Sequence, residues 1–232
     1  MKKILITGGK GRFAAELKKT KTKFNLIFCD KKKLNIFSTK SIEKNLIRYK
    51  PDYVLHLAGL SRPMKIHETN IAKSIDLNII GTSNMVKECS KKKIKLIYLS
   101  TNYLYPGVKG NYKETDSLMP WNNYGWSKLG GESAVQMYKN SLILRCALTE
   151  FPFKHKKAFS DVKSNFMYHR DFIPILFRMI PKKGIFNIGE KTKTIFNFVK
   201  KNNKNIKKAN SNGIMPKRVD MNLKKMIRNL NK

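Results

Sequence analysis

Two side chains able to move a proton stand one helical turn apart, Tyr124 and Lys128, in the run Tyr124-Gly125-Trp126-Ser127-Lys128. Residues four apart share a helix face. A free tyrosine keeps its proton to a pKa of about 10, and a nearby ammonium favours the phenolate, so such a pair can shuttle a proton at a substrate oxygen. The spacing also arises by chance. It gains meaning from Ser100-Thr101, which end a strand-like run from Ile94, because open parallel sheets bind ligands at the carboxyl ends of their strands. A second constellation is Gly8, Gly11 and Ala14, between the apolar run Lys3 to Thr7 and the helix-forming residues up to Leu17. Small residues there let backbone N–H groups approach a pyrophosphate at a helix start. Asp30 ends the next apolar run, Phe24 to Cys29, nineteen residues after Gly11, where a carboxylate can hold an adenosine ribose 2′-OH. The other reading of these features is a plain turn and a surface aspartate.

These residues need elements to place them. Apolar runs at Lys3–Thr7, Phe24–Cys29, Tyr53–Ala58, Ile94–Ser100 and Ser141–Cys146 predict strands. Helical spacing covers Ser41–Tyr49 with Ser41 as N-cap, Ile71–Ser90 with Ile75, Ile79, Met85, Val86 and Cys89 facing the core, and Tyr124–Met137. Alternating strand and helix predicts a parallel sheet covered on both faces, an α/β doubly wound architecture. The loop from Thr101 to Asn123 is long enough to suggest a functional role. Beyond residue 150 the pattern weakens. A helix over Phe172–Met179 with Pro174 near its start, a strand over Gly184–Gly189, a helix over Thr194–Lys201, a solvated loop over 200–213 and a last helix over Met221–Leu230 complete the reading.

The chain has 232 residues, enough for one core domain and a small lobe without disulfide or metal staples. Its three cysteines are far apart, with no CxxC or Cys/His cluster, so a disulfide scaffold and a zinc site are not expected; reduced thiols in the cytoplasm are. No run approaches a membrane span or a signal peptide. Lys and Arg number 49 against 15 Asp and Glu, for a net charge of +34. The lysines are spread through the chain, which reads as solvated surface; a field that steers an anionic substrate or holds a polyanion is the rival reading. His56 lies in a buried strand and reads as a core group. Arg145 reads equally as a phosphate contact or a structural ion pair. Trp121 and Trp126 read as a pocket wall or as loop packing.

Taken with Lys50-Pro51-Asp52, Leu57-Ala58-Gly59, Asn78-Ile79-Ile80-Gly81, Ser100-Thr101-Asn102-Tyr103, Tyr112 to Asp116, Leu129 to Glu132 and Ile185 to Gly189, the chain resembles the extended short-chain dehydrogenases/reductases, in particular the dTDP-4-dehydrorhamnose reductase type. The resemblance implies a Rossmann-like NAD(P)-binding core over 1–150 and a small, trimmed substrate lobe over 151–232 interleaved with the last core elements. It implies that Tyr124, Lys128 and Thr101 form the catalytic set, with Lys128 also holding the nicotinamide ribose. Cofactor contacts are implied for Gly8, Gly11, Arg12, Phe13 and Asp30, for Leu57, Ala58 and Gly59 beneath the cofactor, and for Asn78, which either supports the active-site helix or is an ordinary kink residue. The cofactor is NAD or NADP. Asp30 leans to NAD and Lys31, Lys32 and Lys33 oppose it. The implied activity is reduction of a carbonyl on a nucleotide-linked sugar, without specific nucleic-acid or membrane partners, and with a homodimer as the expected assembly. A sugar-nucleotide epimerase and a non-catalytic nucleotide-binding subunit are the alternatives. Where related dehydratases carry Asp-Glu after the threonine, this chain has Asn102 and Tyr103, which argues against dehydration.

Overall fold

In the computed structural model, which describes residues 1–231, the chain opens with β1 (Lys3–Thr7), α1 (Arg12–Leu17), β2 (Asn25–Cys29), α2 (Thr39–Tyr49) and β3 (Tyr53–His56). There follow α3 (Ile66–Thr69), α4 (Ile71–Ile75), a π-helical turn over Asp76–Ile80, α5 (Gly81–Lys91), β4 (Lys95–Thr101), α6 (Asn123–Gln136) and β5 (Ser141–Cys146). A six-stranded sheet has the order β10-β5-β4-β3-β1-β2, where β10 is Gly184–Ile188. Ile4 pairs in parallel with Leu26 on one side and Tyr53 on the other, and Val54 pairs with Leu96. Ile4, Leu5, Ile6, Val54, Leu55, Leu96 and Ile97 are all buried, as continuous apolar strands of a sheet covered on both faces must be. The fold is Rossmann-like α/β, as the alternation of elements predicts.

Three helices depart from the expected pattern. The run expected as one helix over 71–90 is broken by the π turn, whose extra residue shifts the helical phase by roughly 100°. Met85, Val86 and Cys89 reach the core, whereas Ile75 is 40% exposed. In α2 the cap is Ser38, whose hydroxyl accepts the Ser41 N–H at 3.1 Å; Ser41 instead accepts the Asn35 N–H. The helix α7 (His169–Met179) starts earlier than expected, so Pro174 lies in its interior.

The chain divides into two compact units. The first holds residues 1–100, 123–143 and 180–184; the second holds 101–122, 144–179 and the chain from Ile185 onward. The expected boundary near residue 150 is thus crossed repeatedly, and 101–122 and 144–150 belong with the C-terminal residues. The second unit contains β6 (Leu148–Thr149), β7 (Lys157–Phe159), β8 (Lys163–Ser164), β9 (Met167–Tyr168), α7, β11 (Lys193–Thr194), α8 (Ile195–Lys200), β12 (Lys207–Ala209) and α9 (Lys224–Leu230). Its core gathers Val162, Tyr168, Phe198, Val199, Ile206 and Val219. The expected loop over 200–213 contains β12, which pairs in parallel with β7.

Candidate active site

The glycine-rich turn packs directly on the end of β3. Gly8 has φ +66°, and a Cβ there would stand 2.8 Å from the Ala58 nitrogen, so only glycine fits. Gly11 donates its N–H to the Gly8 carbonyl at 2.8 Å, closing the turn before α1. Above it lies a cavity of about 660 Å³, lined by Gly8, Gly11 and Asp30, by Leu57, Ala58 and Gly59, and by Lys10, Lys31, Lys32 and the apolar Leu34, Ile36 and Leu77. Five of the expected cofactor residues other than Asp30 therefore share one hollow with it. Arg12 and Phe13 open α1, and Arg12 reaches across to donate to Ser61 Oγ at 3.2 Å. Asp30 is not alone. Lys10 Nζ lies 3.0 Å from its Oδ2, and Oδ1 accepts the Lys33 N–H at 3.0 Å. The Lys10 ammonium and that N–H hold the Asp30 carboxyl below its usual range.

Asn78 sits in the π turn with its amide fully used. Its Nδ2 donates to Leu60 O at 2.9 Å and to Ser127 Oγ at 2.8 Å, and its Oδ1 accepts the Leu60 N–H at 2.7 Å. It is both the kink residue and the support of α6, tying that helix to the segment after β3. The two helices come close because Gly130 faces Ile79 and Gly131 faces the Asn78 carbonyl, where a Cβ would overlap.

A directional chain of hydrogen bonds runs beneath Lys128. Thr7 Oγ1 accepts the N–H groups of Leu57 and Ala58 at 3.1 and 3.0 Å. Both its lone pairs are then committed, so its proton goes to His56 Nδ1, 2.8 Å away. His56 is therefore the neutral Nε2–H tautomer, donating to Thr82 Oγ1 at 3.2 Å. Burial, with the nearby charge of Lys128, pushes its pKa down to about 3. Thr82 hydrogen-bonds Tyr98, and the Tyr98 hydroxyl donates to the Lys128 carbonyl at 3.3 Å. The Lys128 ammonium lies 4.0 Å from the centre of the Tyr98 ring, a cation–π contact that fixes its stem. Tyr124 stands one turn earlier on α6, and its ring packs on that of His67 in an edge contact with 5.0 Å between centroids. The core reading of His56 holds. Thr7, Thr82 and Tyr98 carry no sequence signal beyond being polar groups in or near apolar runs.

In the second unit, Thr101 is buried and its Oγ1 accepts the Tyr103 N–H at 3.2 Å, capping a short 3-10 turn over Asn102–Leu104. Asn102 is fully buried and donates to Val219 O at 3.0 Å. Arg145 is buried, not solvent-facing, and donates to Tyr105 Oη at 2.8 Å and Glu114 O at 3.1 Å. Trp121 packs on Tyr103 at 4.7 Å, whereas Trp126, in the first unit, is half exposed. Among the described residues no cluster of three or more His, Cys, Asp or Glu could hold a metal, and no helix is long and apolar enough to cross a membrane.

Residues 1–160 match the family described as RmlD substrate binding domain. The spore coat polysaccharide biosynthesis protein SpsK of Bacillus subtilis (strain 168) is 31% identical over 150 residues, covering 62% of this chain and 52% of SpsK. The methionine adenosyltransferase 2 subunit beta of Pongo abelii is 27% identical over 143 residues, covering 58% of this chain and 42% of that protein. This chain thus spans about half the length of those relatives. Among solved structures, dTDP-4-dehydrorhamnose reductase of Bacillus anthracis in complex with NADP superposes with a TM-score of 0.88 at 20% identity, covering 99% of this chain and 92% of that one.

Proposed function

Because this chain belongs to the RmlD substrate binding domain family, we propose that it is an NAD(P)-dependent reductase of a carbonyl on a nucleotide-linked sugar, similar to dTDP-4-dehydrorhamnose reductase. The observation that carries the reading is the cavity over the glycine-rich turn. Its size falls in the range of cofactor sites. Its walls supply what a dinucleotide needs: close-approach backbone at Gly8 and Gly11, the Asp30 carboxylate for a ribose hydroxyl, and apolar Leu34 and Ile36 for a base. When bound, the nicotinamide supplies or accepts the hydride. Tyr124 gives its proton to the oxygen as the carbonyl becomes an alcohol, and Lys128 favours the phenolate left behind. The family resemblance adds the Thr101 hydroxyl to the proposed catalytic set; its oxygen accepts the Tyr103 N–H. The cytoplasm and a homodimer complete the proposal.

The test is NADPH oxidation with dTDP-4-dehydrorhamnose. Tyr124→Phe is expected to lower turnover at least about 100-fold while NADPH affinity stays within twofold. Unchanged turnover in that variant would overturn the assignment. The relation to methionine adenosyltransferase 2 subunit beta favours a second reading, a nucleotide-binding subunit without turnover, which gains if the wild type binds NADPH and reduces no sugar nucleotide. Asp30 leans the site modestly to NAD(H), and Lys10 and Lys31 to Lys33 temper that lean. Asp30→Ala should move the affinity ratio of the two cofactors towards NADP(H) in a titration; an unaltered ratio would show that Asp30 does not face the ribose.

A further inference from the structure

A tyrosine in the first turn of a helix is poorly held by that helix alone, since the first four N–H groups have no intrahelical acceptor and helix ends fray. Tyr124 is the second residue of α6. Its first turn is held from outside by α3, a single turn 55 residues earlier. Glu68 accepts the Asn123 backbone N–H at 3.3 Å through Oε1 and the Asn123 side-chain Nδ2 at 2.6 Å through Oε2. One carboxylate thus caps the helix start and fixes the capped side chain, with the negative charge at the favourable end of the helix. The neighbouring His67 is buried and packs on Tyr124 with the two ring planes 61° apart. Its own orientation is set by Ser74 of α4, whose Oγ lies 2.7 Å from Nδ1.

We propose that Glu68 is a positioning residue for Tyr124: through Asn123 it fixes the first turn of α6, while His67 sets the tilt of the phenol ring. The inference rests on the reading of Tyr124 as the proton donor. It assigns no chemistry to Glu68 itself, which is exposed and acts through the helix start. Misplacing a reacting group by a fraction of an ångström lowers the rate of the chemical step and leaves ground-state binding of the cofactor unchanged.

Two measurements on the whole protein test it. Hydrogen exchange of the amides of 123–127, without any ligand, should be about tenfold faster in Glu68→Ala than in the wild type, with the core amides of β1 and β4 unchanged. Turnover of NADPH with dTDP-4-dehydrorhamnose should fall about tenfold in kcat with the KM for NADPH within twofold, and Glu68→Gln, which keeps one acceptor oxygen, should recover most of it. Glu43→Ala, which breaks a surface ion pair with Lys92, serves as the unaffected control. Unchanged exchange at 123–127, or faster exchange with unchanged kcat, overturns the proposal. If Tyr124→Phe turns over normally, the reading of Tyr124 fails instead. If the wild type has no turnover, the exchange arm alone decides whether Glu68 holds the helix start.

Discussion

His56 is neutral in the fold because the proton of Thr7 occupies its Nδ1 and because it is sealed from water. A histidine whose pKa drops from 6.5 to about 3 on folding is protonated only in the unfolded chain between those values. The unfolded state then binds the extra proton, so stability falls as pH falls through that window, by about 1.4 kcal/mol per pH unit for one such group. His67 is lowered by burial as well and adds in the same direction. Carboxylates held below their usual range, such as Asp30, Glu43 and Asp116, lose their contribution only at lower pH, near and below about 4. Urea unfolding should therefore give a nearly constant free energy from pH 8 to 7 and a decline from pH 6.5 to 4.5. His56→Gln should be less stable at pH 7 yet show a shallower decline. An equal slope in the variant would mean that His56 charges inside the fold without penalty.

At the scale of elements, what could be read in the sequence was what a single segment settles by itself. Five strands of the sheet announce themselves as apolar runs, and the turn at Gly8 and the Tyr124–Lys128 helix are local in the same sense. What escaped reading depends on a partner far along the chain. The π turn at Asp76–Ile80 looks like ordinary helix until Leu60 and Ser127 are seen to claim the Asn78 amide. The ion pair of Lys10 with Asp30 needs β1 and β2 side by side. Strands of two or three residues, such as β8 and β11, are too short to show an alternation. The contact between the π turn and α6 makes a prediction of its own. A Cβ on residue 131 would overlap the Asn78 carbonyl and stand 2.8 Å from Tyr98 Oη. Backbone cannot step aside as a side-chain tip can, so Gly131→Ala should destabilise by about 2 kcal/mol. Gly184 has φ +89° and nothing near its Cβ position, so Gly184→Ala meets backbone strain alone, about 1 kcal/mol. Urea midpoints compare them; a smaller loss at 131 than at 184 would mean that α6 is loosely seated.

For the whole molecule the dominant quantity is its charge of +34. Acidic groups are few, and several already hold ammonium partners, as in Lys10–Asp30, Lys19–Glu16, Lys91–Glu88 and Lys92–Glu43. With 49 Lys and Arg against 15 Asp and Glu, the carboxylates are too few to neutralise the basic side chains. Charge of this kind attracts a polyanion through counterion release, a term that is independent of its sequence. It also repels itself, which salt relieves. Among the described residues the exposed aromatic groups Phe37, Trp126 and Phe151 are scattered along the chain. Two duplex DNAs of unrelated sequence should accordingly bind with equal affinity, at a Kd of about 10–100 μM near physiological salt. That affinity should strengthen steeply as salt is lowered to 50 mM, with the same slope for both duplexes. Over the same series the melting temperature should rise with added salt, as screening shortens the reach of the repulsion to about 8 Å at 0.15 M. Binding of one duplex at least 100-fold tighter than the other at 150 mM salt would overturn the view that the charge is solvated surface, and would require a nucleic-acid role for the lysines.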